Sequence, residues 1–350
     1  MAEFLPEHLK KYIVTQNYEK YTAADQAVWR YILRQLKFYL STHAHESYLE
    51  GLEKTGIDIE QIPQIENVSA KLEKFGWRAL PVSGFIPPAA FMELQSLGVL
   101  PIASDMRSID HLLYTPAPDI VHEAAGHAPI LANKEYAAYL KQYAQVAKKA
   151  ILSKQDLDLY KSIRELSDIK ENPNSTSDEI QHAENNLKAV TKKITFTSEA
   201  SELSRMNWWT AEYGLIGDIK APKIFGAGLL SSVGESKWCL SEQVKKIPLS
   251  INCVKQSYDI TEPQPQLYVA ENFQHLSQVL NEFSKTMAYN VGGVKSLDKL
   301  IQAETVNTVE LDNTFQISGA LKKYYLDSEN KISYLQFNGP TQLNYKNKQI

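Results

Sequence analysis

Asp119-Ile120-Val121-His122-Glu123-Ala124-Ala125-Gly126-His127-Ala128-Pro129 carries more information than any other stretch of this chain. Its two histidines stand five positions apart, not at the four-residue spacing that puts both imidazoles of an HExxH motif on one helical face. Along an ideal α-helix, five residues rotate by about 140°. Two rings so placed meet one metal only if the helix stops between them. Gly126 supplies a stop, and Pro129 opposes resumption. Asp119 is positioned to cap the helix from its N-terminal side. The spacing therefore predicts a broken helix that presents two imidazoles to a single ion.

A third ligand is needed, and the segment Asn207-Trp208-Trp209-Thr210-Ala211-Glu212-Tyr213-Gly214-Leu215 offers one. A carboxylate inside so apolar and aromatic a run is costly to bury unless it is ion-paired or bound to metal. Two imidazoles and one carboxylate with open positions opposite suit an oxygen-activating Fe(II). Zinc accepts the same donors, so spacing alone leaves the metal open. It also leaves open a zinc hydrolase with Glu123 as base, although the five-residue histidine spacing counts against that reading.

Outward from the motif, the N-terminal half reads as helical. Thr22 with Asp25 resembles a capping box, followed by Val28, Ile32, Leu33, Leu36 and Leu40 at helical spacing. Further helices are expected from Ser47 to Thr55, ended by Gly56, and from Ile65 to Lys74, closed by Gly76. His43 and His45 read as surface or structural side chains. From Trp77 to Pro88 the chain turns extended, a strand and then a loop, before a helix from Ala89 to Gly98. Tyr114 to Asp119 is a rigid, Pro-containing loop. Beyond the motif, residues 135–204 are charged and helical in period, interrupted at Asn172-Pro173-Asn174-Ser175-Thr176-Ser177, as in a solvated helical hairpin. Gly226 and Gly228 lack the sequence of a phosphate loop and are expected to admit close backbone approach to a small ligand. After Asn307 apolar residues alternate, with a turn at Asp327-Ser328-Glu329-Asn330, which reads as β-hairpins.

Bulk properties bound the function. With 350 residues, 43% hydrophobic and 22% charged, the chain has the composition of a soluble globular protein. A net charge of -4 counts against a nucleic-acid partner, because phosphate binding needs concentrated Lys and Arg. Cys239 and Cys253 are too few for a disulfide framework and suit a reducing cytoplasm. The N-terminus lacks the pattern of a signal peptide, and no apolar run approaches a membrane span, so no membrane partner is expected.

Taken in order, several motifs resemble those of the pterin-dependent aromatic amino acid hydroxylases, and most closely the bacterial phenylalanine hydroxylases. They are Leu113-Tyr114-Thr115-Pro116-Ala117-Pro118-Asp119-Ile120, His122 to His127, Thr210-Ala211-Glu212-Tyr213-Gly214, the run from Gly226 to Glu235, and Cys239-Leu240-Ser241. The resemblance runs from about Tyr21 to about Asn313. It implies that His122, His127 and Glu212 hold Fe(II), and that Glu123, acting in catalysis, lies near a tetrahydrobiopterin or related tetrahydropterin. It further implies that Gly84, Phe85, Ile86 and Phe91 form the pterin-binding wall. Arg107, seven residues before Tyr114, matches the arginine that grips the substrate carboxylate, and its planar guanidinium suits that task. Asp119 matches a residue that orients this arginine. Thr115, Trp208, Gly228 and Ser231 match substrate contacts, with Trp208 offering a flat aromatic wall. O2 is the implied cosubstrate.

The expected fold is a mainly helical α+β catalytic basin of the aromatic amino acid hydroxylase type, with a small sheet and a β-rich C-terminal extension. Residues 1–310 form the catalytic domain, with the charged hairpin inserted at about 150–200, and residues 311–350 form the extension, which reads as one piece of a longer protein. The expected activity is hydroxylation of L-phenylalanine to L-tyrosine. Tryptophan hydroxylation is the neighbouring alternative, and a non-catalytic interaction protein retaining the fold is the alternative of another class. Homo-oligomerisation is left open.

Overall fold

The structure, a computed structural model, describes residues 2–350 except 85, 110–111, 113–117, 173 and 261, with the side chain of residue 171 also outside the description. Most of the expected Tyr114–Asp119 loop thus lies outside the described residues, as do Phe85 and Thr115. The chain divides into two compact units, one of residues 1–148 and 204–281, the other of residues 149–203 and 282–350.

The first unit begins with the elements that local sequence dictates. Helix Ala23–His43 starts at a complete capping box, with the Thr22 hydroxyl accepting from the Asp25 N–H and the Asp25 carboxylate accepting from the Thr22 N–H. Val28, Trp29, Ile32, Leu33, Leu36 and Leu40 form its buried stripe, the 3.6-residue period expected of a helix with one face in the core. Glu46–Thr55 ends at Gly56, whose φ of 72° accommodates the left-handed cap. Helix Ile65–Leu72 continues as a short 3-10 turn to Phe75 and closes at Gly76. His43 stacks on Tyr39, and His45 caps the Glu46 helix while packing edge-on against Phe273. Both are structural, as expected.

Strand β1 (Arg78–Val82) pairs in parallel with β2 (Val99–Ala103) through the intervening helix Pro88–Ser96. Both strands are almost wholly buried, as a strand covered on both faces must be. A second sheet has the order β4 (Lys223–Ile224), β3 (Leu215–Ile216), β6 (Gln266–Ala270), β5 (Lys245–Pro248). Trp29 and Trp209 are fully buried in the core of this unit. Among the described residues, no helix is long and apolar enough to cross a membrane.

The second unit gathers the expected hairpin, Lys154–Glu171 and Ser177–Lys192, each opened by a capping box. It also holds the helix Gly293–Ala303 and a four-stranded antiparallel sheet. The sheet order is β10 (Lys348–Gln349), β9 (Ile332–Tyr345), β8 (Phe315–Leu326), β7 (Val306–Glu310), so the tail does form hairpins. Period-2 patterning gives the sheet two faces. Thr308 and Ser318 bond to each other on the polar one, while Val309, Leu321, Leu335 and Phe337 pack with Leu297 and Leu300 on the other.

Glu199 holds this unit together. Its buried carboxylate accepts from Lys299 Nζ at 2.7 Å, the Ala288 N–H at 2.7 Å and the Ile151 N–H at 3.3 Å. Replacing it with alanine strands two backbone donors, so Glu199→Ala is expected to cost about 2–4 kcal/mol. Urea unfolding followed by circular dichroism measures this, and a loss below about 0.5 kcal/mol, the range of an ordinary surface change, would refute it.

Candidate metal centre

The two histidines lie on one continuous helix, contrary to the expected break at Gly126. Val121–His127 is π-helical and passes directly into an α-helical turn, Ala128–Ile130. The Ala128 N–H bonds to the Glu123 carbonyl, five residues back. Five-residue hydrogen bonding places residue i over residue i+5, so widening the helix does what stopping it was expected to do. Glu212 ends a second π-helical stretch, Trp208–Glu212, where the Tyr213 N–H reaches the Trp208 carbonyl at 2.8 Å.

These turns converge. His122 Nε2 and His127 Nε2 are 3.2 Å apart. Glu212 Oε2 lies 3.3 Å from the first and Glu212 Oε1 3.3 Å from the second. Glu123 also brings a carboxylate oxygen within 4.8 Å of the histidine nitrogens, but Glu212 contacts both rings directly. Missing side chains permit the approach. A Cβ on Gly126 would stand 2.6 Å from the Ala227 carbonyl oxygen, and one on Gly226 would stand 2.5 Å from that of Glu212. A Cβ on Gly228 would press on the Tyr213 ring at 2.9 Å. The close approach that these glycines allow is thus to the Glu212 segment itself, where a small ligand had been expected.

Supporting bonds fix the donors. Ser231 Oγ donates to the Ala227 carbonyl at 2.7 Å. Its single proton is thereby used, so at 3.1 Å it accepts from His122 Nδ1. That tautomer turns the Nε2 lone pair toward Glu212 and His127. Asp119, 3% exposed, accepts the His122 N–H at 3.0 Å, so the capping role expected of it holds. The same carboxylate takes Arg107 Nε at 2.6 Å and Nη2 at 2.8 Å. Arg107, 6% exposed, is thus locked bidentately and tied to the histidine helix through one residue.

Electrostatics follow from burial and neighbours. Burial opposes ionisation of Glu212, but with protons in place of a metal ion the attraction of His127 and the hydrogen bonds that both imidazoles then donate outweigh it and hold this carboxyl well below the usual range. Burial pushes the Glu123 carboxyl up to about 8. Its Oε2 is enclosed with no hydrogen-bond partner among the described residues, and so is His127 Nδ1.

The donor set fits a metal ion. Three electron-pair donors within 3.3 Å of one another need a cation or protons between them. For ligands at about 2.1 Å, octahedral edges are about 3.0 Å and tetrahedral edges about 3.4 Å, so these separations match a metal without choosing between Fe(II) and Zn(II).

The remaining expected residues are placed unevenly. The Gly84 N–H bonds to Asp105 Oδ2 at 3.2 Å, and the Asp105 carbonyl accepts the Ile120 N–H at 2.9 Å, so one residue anchors both the loop after β1 and the histidine helix. Ile86 packs against the cluster of Leu5, Leu9 and Leu94, and Phe91 lies on helix Pro88–Ser96. Trp208 is not a flat wall. Tyr213 stacks on it at 4.4 Å and Tyr258 at 4.3 Å, both nearly parallel to it. Two parallel rings so close to one indole centre must occupy opposite faces, leaving only the edge. Sequence reasoning missed Tyr258, and also Asn207, whose Nδ2 reaches Glu212 Oε1 at 3.4 Å. Asn207 stands five residues before Glu212, a spacing that no α-helical pattern pairs, and nothing in the sequence signals Tyr258 either.

All these residues belong to the first unit, and together they define a mononuclear centre of two histidines and one carboxylate on a mainly helical α+β scaffold. The chain matches the profile of the biopterin-dependent aromatic amino acid hydroxylases over residues 11–159 and 194–292, and it belongs to that family. Residues 160–193, most of the charged hairpin, fall outside the match. Among relatives, the phenylalanine-4-hydroxylase of Bos taurus is 30% identical over 77% of this chain and 51% of its own length. The chain thus spans about half of that protein. The phenylalanine-4-hydroxylase of Mesorhizobium japonicum is 28% identical over 76% of this chain and 81% of its own length. A Chromobacterium violaceum phenylalanine hydroxylase structure with bound iron(III) and 7,8-dihydrobiopterin shares the fold, with a TM-score of 0.61 at 24% identity over 81% of this chain and 94% of that one.

Removing a donor or its support should separate two effects. His127→Ala is expected to abolish metal retention. Ser231→Ala keeps all three donors and is expected to weaken metal binding by about 10–100-fold, as loss of a bond to a ligating histidine does. Metal analysis after gel filtration, with a chelator titration, reads both, and full occupancy in His127→Ala would remove that residue from the donor set.

Proposed function

We propose that this chain is a tetrahydropterin- and Fe(II)-dependent monooxygenase that converts L-phenylalanine to L-tyrosine. The observation that carries this reading is an intact set of His122, His127 and Glu212 in a chain of this family, joined through Asp119 to a buried, pre-oriented Arg107. The family decides between the metals that the donor distances leave open. Bound iron and reduced pterin supply O2 activation and the electrons that leave one oxygen atom on the ring and reduce the other to water.

The chain's own residues position and exclude. His122, His127 and Glu212 would hold the ion together from one side, and three protein donors would leave room for exchangeable ligands. Arg107 spends Nε and Nη2 on Asp119, which leaves its Nη1 donors for a substrate carboxylate. Glu123, buried and inclined to stay protonated, has one oxygen free to bond the pterin. Gly84, Ile86 and Phe91 would complete the side where that ring lies, and the family resemblance adds Phe85, which is outside the described residues. Trp208 would offer its edge to the aromatic side chain, and the family resemblance adds Gly228 and Thr115, the latter outside the described residues. The nearby Leu229, Leu230 and Trp209 are fully buried, and this apolar neighbourhood favours phenylalanine over tyrosine. Cys239 and Cys253 are both buried free thiols, which supports a place in the reducing cytoplasm.

Product analysis after incubation with Fe(II), a tetrahydropterin, O2 and each of phenylalanine, tyrosine and tryptophan tests the reaction, and a higher kcat/KM for either of the other two would replace phenylalanine. Arg107→Lys keeps the charge but loses the fork. It is expected to raise the amino acid KM by about 30-fold, corresponding to ~2 kcal/mol, with iron content unchanged. An unchanged KM would mean that another residue holds the carboxylate.

A further inference from the structure

Tyr258 reaches the site from a loop, where local bonds pin it. The Trp209 Nε1–H donates to the Gln256 carbonyl at 2.9 Å, Arg205 Nη1 to the Val254 carbonyl at 3.2 Å and Gln264 Nε2 to the Asp259 carbonyl at 2.6 Å. The loop is therefore stitched to the helix Glu199–Asn207 and to the π-helical stretch that follows it. Ser204 and Trp208 stand four positions apart on that path, so their side chains lie one above the other. Tyr258 lies along both. Its hydroxyl is 2.9 Å from Ser204 Oγ, and its ring stacks on Trp208 at an interplanar angle of 7°.

Trp208 in turn stands four positions before Glu212, about one turn away along the same side of the helix. With Tyr213 and Tyr258 on its two faces, the indole cannot tilt, and only its half-buried edge is left to line space beside the carboxylate. Its Nε1–H is enclosed and has no partner among the described residues. A ring held from both sides sets a hard boundary, whereas a ring held from one side yields to a larger guest.

We propose that Tyr258 is a positioning residue that fixes the amino acid preference of the site by clamping Trp208 edge-on. This rests on the aromatic amino acid hydroxylase reading above. Removing the Tyr258 ring frees one face of Trp208 and opens a ring-sized space behind it. The indole can then swing away, and a bulkier side chain gains relative to phenylalanine. A purely structural role would lower activity toward all substrates together and leave their ratio unchanged.

The test uses the full chain loaded with Fe(II), as wild type, Tyr258→Ala, Tyr258→Leu and Tyr258→Phe. The readout is the tryptophan-to-phenylalanine ratio of kcat/KM under one tetrahydropterin, with iron content and Tm measured alongside. Tyr258→Ala and Tyr258→Leu are expected to raise that ratio about tenfold, mainly through KM, since pocket volume of this order is worth about that much discrimination. Tyr258→Phe keeps the ring and is expected to restore the wild-type ratio. The same ratio in all four proteins overturns the proposal, and so does Tyr258→Phe behaving like Tyr258→Ala. Failure of both the Ala and Leu variants to fold, with the Phe variant folded, assigns Tyr258 to structure alone and also overturns it. If the wild type hydroxylates neither amino acid, the enzymatic reading fails separately. Calorimetric affinities of phenylalanine and tryptophan for the iron-loaded proteins then read the same ratio, and the absence of any shift overturns the clamp.

Discussion

Two imidazole nitrogens and a carboxylate held within 3.3 Å of one another repel unless positive charge stands among them, and a folded chain keeps them together only by fixing each from outside. Much of the first unit can be understood as that fixing. The π-helical turns aim the side chains, Ser231 sets one tautomer, Asp119 holds the helix that carries the histidines, and small residues let the backbones close up. A cation then releases repulsion that the fold has already stored, which is why such a site binds metal without large rearrangement.

The same logic runs through the polar groups that surround the centre. Asp119 alone joins Arg107 to His122 through four hydrogen bonds, two from the guanidinium, one from the Arg107 N–H and one from the His122 N–H. Buried charge is tolerated because the Asp119 carboxylate is met by four donors, two of them from a guanidinium. Removing any one member leaves the others uncompensated, so the network behaves as a unit whose parts are not additive.

Much of this was legible in the sequence. Helix ends carrying Thr22, Gly56 and Gly76 announced themselves because capping chemistry is local. The metal donors were legible as types of residue in unusual surroundings, a glutamate among tryptophans and two histidines near a glycine. The way in which the histidines meet was not. An α-helical wheel has no place for a five-residue register, and only the backbone bond from Ala128 to Glu123 reveals it. Gly226 read as an opening for a ligand because a sequence does not say which backbone will come close. Trp208 read as a wall because the tyrosine that covers its second face arrives from a distant loop, and stacking partners far apart in the chain leave no periodic trace. The pairing of the charged hairpin with the C-terminal sheet in one unit was likewise invisible, since Glu199 meets Lys299 only in three dimensions.

The five-residue register has a consequence for how this chain can change over generations. His122 faces His127 because the main chain between them counts in fives, and the side chains of Ala124 and Ala125 take no part in that count. A substitution there alters packing and leaves the count intact. Gain of a single residue leaves the histidines six apart, about 240° round an α-helix, and carries one away from the ion, whereas loss of one leaves the four-residue spacing that ordinary α-helical winding already brings onto one face. The motif is therefore guarded against insertion by its length before it is guarded by its letters, and a residue added between the two histidines parts them.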